Sequence, residues 1–121
     1  MSAPVWIGVA LLGGAGAILR FRLDAFVQLR TAGELPLGTL AVNLTGSLAL
    51  GALHGGGVGG DALFLAGTAF LGSFTTFSTW MLETQRLVED GDDRVGALDL
   101  VLPLALGLAA VLAGWAIGAA V

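Results

Sequence analysis

The chain has 121 residues, 56% of them hydrophobic and only 12% charged, with a mean hydropathy of +0.92. A soluble domain carries charge on about a quarter of its residues, so a water-facing surface is excluded and the composition is that of an integral membrane protein. The net charge of −4, with no basic patch, excludes nucleic acid as a partner, and the absence of cysteine excludes disulfides, thiolate metal sites and cysteine nucleophiles.

An apolar helix needs about 20 residues to cross hydrocarbon. Four stretches qualify, at about 4–23, 37–54, 62–87 and 95–121, and they predict one all-α, four-helix transmembrane domain over residues 1–121. A domain this small has little interior in a membrane, so an oligomer is expected.

The first span opens with Pro4, suited to a first helical turn. Met1–Pro4 carries no positive side chain, whereas Arg20 and Arg22 follow the apolar run. That charge order is wrong for a secretory signal, so the segment is expected to be retained. Arg20 reads as a side chain snorkelling to the interface.

Small residues recur at intervals of four: Ala10 and Gly14, and Gly13 and Ala17, in the first span; Ser47, Gly51 and Gly55 in the second; Ala110, Gly114 and Gly118 in the fourth. Such residues let helix backbones approach closely, within one subunit or between two. The short, glycine-rich connection 55–61 predicts that the second and third spans are antiparallel neighbours.

In the second span, Thr39, Asn43 and Ser47 share one face. Asn43 reads either as an interhelical hydrogen bond that fixes packing or as an amide donor lining a polar path.

The third span is the strongest anomaly. Gly72-Ser73-Phe74-Thr75-Thr76-Phe77-Ser78-Thr79-Trp80 places five hydroxyl residues and a glycine at membrane depth. Ser and Thr compete for backbone hydrogen bonds, and irregular backbone in a membrane survives only where protein or a water-filled cavity covers it. A break between about Gly72 and Thr76 is predicted; the alternative is an intact helix whose hydroxyls bond back to earlier carbonyls. Phe74, Phe77 and Trp80 recur every three residues. Such a stripe is usually packing, yet aromatic rings are positive at their edges, and ring edges interleaved with hydroxyl donors suit a small anion. Glu83, at the end of this span, reads as solvated. His54 is the only histidine, and no Ser-His-Asp set, carboxylate pair or nucleotide loop occurs, so no enzyme is expected.

At these residues the chain resembles the Fluc (CrcB) family of bacterial fluoride channels. The match rests on Gly13-Gly14-Ala15-Gly16-Ala17 followed by Arg20, on Gly38-Thr39-Leu40-Ala41-Val42-Asn43-Leu44-Thr45-Gly46-Ser47, and on Gly72–Thr79 followed by Glu83. It covers essentially the whole chain. The resemblance implies a multi-pass protein of the bacterial plasma (inner) membrane that passively exports fluoride and protects the cell from it. It also implies an antiparallel, dual-topology dimer with a pore on each side of the interface. A structural sodium ion (Na+) would sit at the break on the backbone carbonyls of Gly72 and Thr75. The ion pathway would involve Asn43, Phe77, Trp80, Ser78 and Thr79, with Arg20 and Glu83 as polar structural residues.

Two departures stand out. Trp80 occupies a place that is usually Phe. An ungapped alignment from Glu83 puts Asp99, Pro103 and Gly107 where the family often has a Tyr and then Ser residues, and no Ser or Thr follows Asp99. At least one pore wall would then lack donors.

The five arginines, Arg20, Arg22, Arg30, Arg86 and Arg94, all fall on the side of the connections between spans one and two and spans three and four. Cytoplasmic loops are enriched in Arg and Lys, so these loops are expected inside and both termini outside. A fixed orientation favours an unlike partner subunit, a paralogue, over a self-sufficient homodimer. Two other functions compete. A small proton-coupled multidrug exporter needs a mid-membrane carboxylate that the first span lacks; a non-conducting membrane partner would not need the hydroxyl-rich third span.

Overall fold

The computed structural model describes residues 2–31, 33 and 35–121. Four helical spans are long and apolar enough to cross a membrane: Ala3–Arg30, Leu37–Gly55, Gly60–Glu89 and Asp93–Ala120. The chain is a multi-pass, all-helical membrane protein whose third span is interrupted. The first, second and last spans are the helices α1 (Ala3–Arg30), α2 (Leu37–Gly55) and α6 (Asp93–Ala120). The third is composite: α3 (Gly60–Leu63), a π-helical stretch (Phe64–Leu71), α4 (Gly72–Phe74), a gap, and α5 (Ser78–Glu89).

α1 continues past the apolar run to Arg30, because 24–30 contains no glycine or proline to stop it. At about 1.5 Å per residue it is roughly 42 Å long, more than the roughly 30 Å of hydrocarbon. At its charged end the Arg30 guanidinium lies 4.1 Å from the centre of the Phe26 ring.

Small residues decide which helices meet. A methyl group at Gly51 or Gly55 would strike the carbonyls of Val111 and Trp115 on α6, and one at Gly114 or Gly118 would strike those of Leu48 and Ala52 on α2. The two small-residue rows thus face each other within one subunit and bring the backbones into contact. The glycine connection does return the chain beside α2, but the widest face of α2 lies on α6 rather than on the third span. Gly16 of α1 fits in the same way against the Phe70 carbonyl and the Ser73 hydroxyl, while Gly14 meets nothing within 4 Å.

The halves of the third span rest on different neighbours. The π-helical stretch and α4 pack on α1, whereas α5 packs on α6. The core lies between α2 and the upper half, where Val42, Leu71 and Phe74 are buried together with Leu23, Leu50, Leu53 and Phe70 around them. The Phe70 and Phe74 rings stack with centroids 6.2 Å apart. Outward-facing Leu11, Phe21, Leu112 and Ile117 are exposed, as suits lipid contact.

Candidate functional site

The site begins at the interruption. Ser73 and Thr75 bond back to earlier carbonyls, the Ser73 hydroxyl to those of Ala69 and Phe70 and the Thr75 hydroxyl to that of Leu71, each at 3.0 Å. Those bonds keep the helix intact through Phe74. Thr75 then turns to extended backbone (φ −86°, ψ 162°), and the helix resumes at Ser78. Both readings of the hydroxyl cluster hold in part: its first members bond back within a helix, and the break opens at Thr75 and Thr76, the end of the interval from Gly72 to Thr76 expected from sequence, and runs on through Phe77. Gly72 remains helical.

Asn43 of α2 takes hold of the broken strand. Its amide nitrogen donates to the Thr76 carbonyl and its carbonyl oxygen accepts from the Thr76 N–H, both at 2.8 Å. The Thr76 hydroxyl in turn accepts from the Thr79 N–H at 3.2 Å and caps the lower half-helix. In an unbroken helix those two N–H groups would bond the carbonyls four residues earlier, Gly72 and Thr75. Both carbonyls are therefore left without their helical donors. These are the two that the family resemblance assigns to sodium, and a pair of freed carbonyl oxygens suits a hard cation.

Beside the break a groove of about 330 Å³ is lined by Asn43, Ser47, Thr75, Thr76, Phe77 and Trp80, and by Pro103, Leu104, Gly107, Leu108 and Val111 of α6. A second hollow of about 190 Å³ shares Asn43, Ser47 and Thr75 and extends to Gly67 and Gly72. Asn43 has two amide hydrogens, and its bond to Thr76 uses one. The groove is polar on the side of α2 and the third span and carries no hydroxyl on the α6 side. Phe77 is 67% exposed and meets Trp80 edge to face, with centroids 5.7 Å apart and planes at 81°. Ser78 is exposed and Thr79 half-buried, and neither lines either hollow.

Below the groove lies a cluster of Trp80, Thr84 and Asp99; the sequence marks Trp80 and, by alignment from Glu83, Asp99, but not Thr84. Asp99 is 3% exposed. Its carboxylate accepts from the Thr84 hydroxyl at 2.7 Å, and its backbone carbonyl accepts from the Trp80 indole N–H at 2.6 Å. The signal for the second bond is Pro103, four residues after Asp99.

Nearer the arginine-bearing end, Glu83 lines a polar pocket with Gln28, Arg86 and Asp90. One oxygen each of Glu83, Thr39 and Asp24 is buried without a hydrogen-bond partner among the described residues. Glu83 is thus half-buried rather than freely solvated. Arg20 is half-buried on α1. Among the described residues no group of three or more His, Cys, Asp or Glu side chains is placed to hold a metal.

The profile of a family described as "CrcB-like protein, Camphor Resistance (CrcB)" matches residues 7–115. A protein of Mycolicibacterium paratuberculosis named "Fluoride-specific ion channel FluC 2" is 50% identical over 113 residues, covering 93% of each chain. One of the same name from Mycobacterium tuberculosis is 51% identical over 114 residues, 94% of this chain and 90% of its own. "Fluoride-specific ion channel FluC 1" of Symbiobacterium thermophilum is 39% identical over 119 residues, 93% of this chain and 96% of its own.

Proposed function

This chain belongs to the CrcB family, and from that premise we propose that it is a subunit of a passive, fluoride-selective export channel. The observation that carries the reading is the groove. A polar floor of Asn43, Ser47, Thr75 and Thr76, bordered by the exposed ring of Phe77, lies open on the outside of the subunit. Open polar backbone is costly in lipid, so a second subunit covers it and completes a path. Hydroxyls, an amide and ring edges, with no cationic side chain in the lining, bind a small anion weakly enough to release it. The membrane is the bacterial plasma membrane.

The second subunit inserts the opposite way, so that the two breaks meet at the bilayer midplane. The carbonyls of Gly72 and Thr75, with their counterparts, would hold a sodium ion there. Such an ion would supply a fixed positive charge at mid-membrane, while Asn43 and Thr76 hold the backbone in place beneath it. The arginine bias favours one fixed orientation and a paralogous partner; the curated relatives carry both the FluC 1 and the FluC 2 names. The α6 wall, without hydroxyls, fits a pair in which one of the two paths conducts.

The test is fluoride release from liposomes holding the chain alone, and holding it co-purified with each family member of its source genome, with chloride as control. Fluoride-selective release is expected from the pair. Absence of release from every combination of well-folded protein refutes the reading.

A further inference from the structure

Pro103 lies within α6. A proline has no N–H, so it cannot bond the carbonyl four residues earlier. That carbonyl belongs to Asp99, a buried residue within the apolar span Asp93–Ala120, and an unpaired backbone oxygen there is expensive. The Trp80 indole N–H fills the vacancy at 2.6 Å. One turn further along α5, the Thr84 hydroxyl donates to the Asp99 carboxylate at 2.7 Å and lies 3.1 Å from the Trp80 carbonyl. This second bond fixes the register in which α5 offers Trp80 to α6. A phenylalanine in place of Trp80 has no donor to offer, so the tryptophan and the proline answer each other.

We propose that Trp80 is latched to α6 through the Asp99 carbonyl that Pro103 leaves free, and that Pro103, Asp99 and Thr84 are positioning residues that hold this large ring back from the groove. The ring borders the groove together with Pro103 itself. Pulled towards Asp99 and set edge to face on Phe77, it leaves the space beside Asn43 open; released, it falls into that space and obstructs it. The effect on conduction rests on the fluoride-channel reading, whereas the latch does not.

Two measurements test the proposal. The first uses the chain with Trp6→Phe and Trp115→Phe, so that Trp80 gives the only indole signal in nuclear magnetic resonance. The Trp80 N–H is expected to be shifted downfield and to exchange slowly with solvent. Pro103→Ala supplies a competing backbone N–H to Asp99 and should move the signal upfield and speed exchange about tenfold. Thr84→Val should do the same in part, and Thr84→Ser should restore the original signal. An indole signal indifferent to Pro103→Ala overturns the latch.

The second is a double-mutant cycle. Trp80→Phe should lower the melting temperature clearly when Pro103 is present, because it orphans the Asp99 carbonyl. In the Pro103→Ala background it should lower it little. Additive effects overturn the pairing. In the conducting pair, Pro103→Ala is expected to reduce fluoride efflux about tenfold, and adding Trp80→Phe to recover most of that loss. Efflux that Pro103→Ala leaves unchanged overturns the obstruction. A native pair that moves no fluoride, while the indole signal behaves as expected, sinks the channel reading and leaves the latch standing.

Discussion

Asn43 is one side chain with two tasks. It replaces both hydrogen bonds that Thr76 loses at the break, and it lines the groove with one amide hydrogen not used in that pair. Asn43→Ala leaves a backbone donor and acceptor unpaired and should cost about 3 kcal/mol of stability, read by thermal denaturation in detergent. Asn43→Asp keeps the acceptor for the Thr76 N–H, loses the donor to its carbonyl and adds negative charge beside the path. Efflux is expected to fall at least roughly tenfold, which needs only about 1.4 kcal/mol of added barrier. Undiminished flux through well-folded Asn43→Asp channels would reduce Asn43 to a packing residue. At Phe77, replacement by Ile keeps bulk but removes the ring edge, and efflux should drop without loss of assembly.

Among the elements, the α2–α6 contact depends on backbones that touch. Gly51→Val pushes a branched side chain into the Val111 carbonyl and should destabilise the subunit by about 3 kcal/mol, whereas Gly14→Ala, with open space around it, should leave the melting temperature unchanged. Apolar run length alone made the four spans legible in the sequence, and the hydroxyl-rich cluster marked the third as irregular. The place of the break was less legible. Local hydroxyl bonds carry the helix on through Phe74, and the partner that ends it is on another helix. The π-helical stretch before it, Phe64–Leu71, has no local signature at all. The facing rows of Gly51 and Gly55 against Gly114 and Gly118 were visible as small-residue repeats, but repeats do not say which helix they meet. Trp80 and Pro103 were each visible as oddities, and only the fold brings them together.

For the whole molecule, orientation decides whether the partner is like or unlike. The turn 56–59 and the turn at Asp90 lie at opposite ends of the bundle, and the chain has no native cysteine to interfere with labelling. Gly57 has φ +77° and would resist substitution, whereas Gly59, at φ −145° with open space around it, accepts a side chain. Gly59→Cys should react with an impermeant thiol reagent from outside intact cells, and Asp90→Cys should not. Comparable labelling at both positions would show that the chain inserts both ways and needs no unlike partner.

The bond between Asn43 and Thr76 also bears on how the chain is made. Ribosomes deliver α2 before the third span, and only the short turn 56–59 separates them. The two can enter the bilayer as a hairpin, with Asn43 already placed to receive the broken backbone as it arrives. The nascent chain thus shields its own interruption before any second subunit is present, and the order of the spans becomes part of the insertion mechanism. In a translocon assay on chains truncated after Arg94, the third span should integrate efficiently behind native α2 and poorly behind α2 carrying Asn43→Ala.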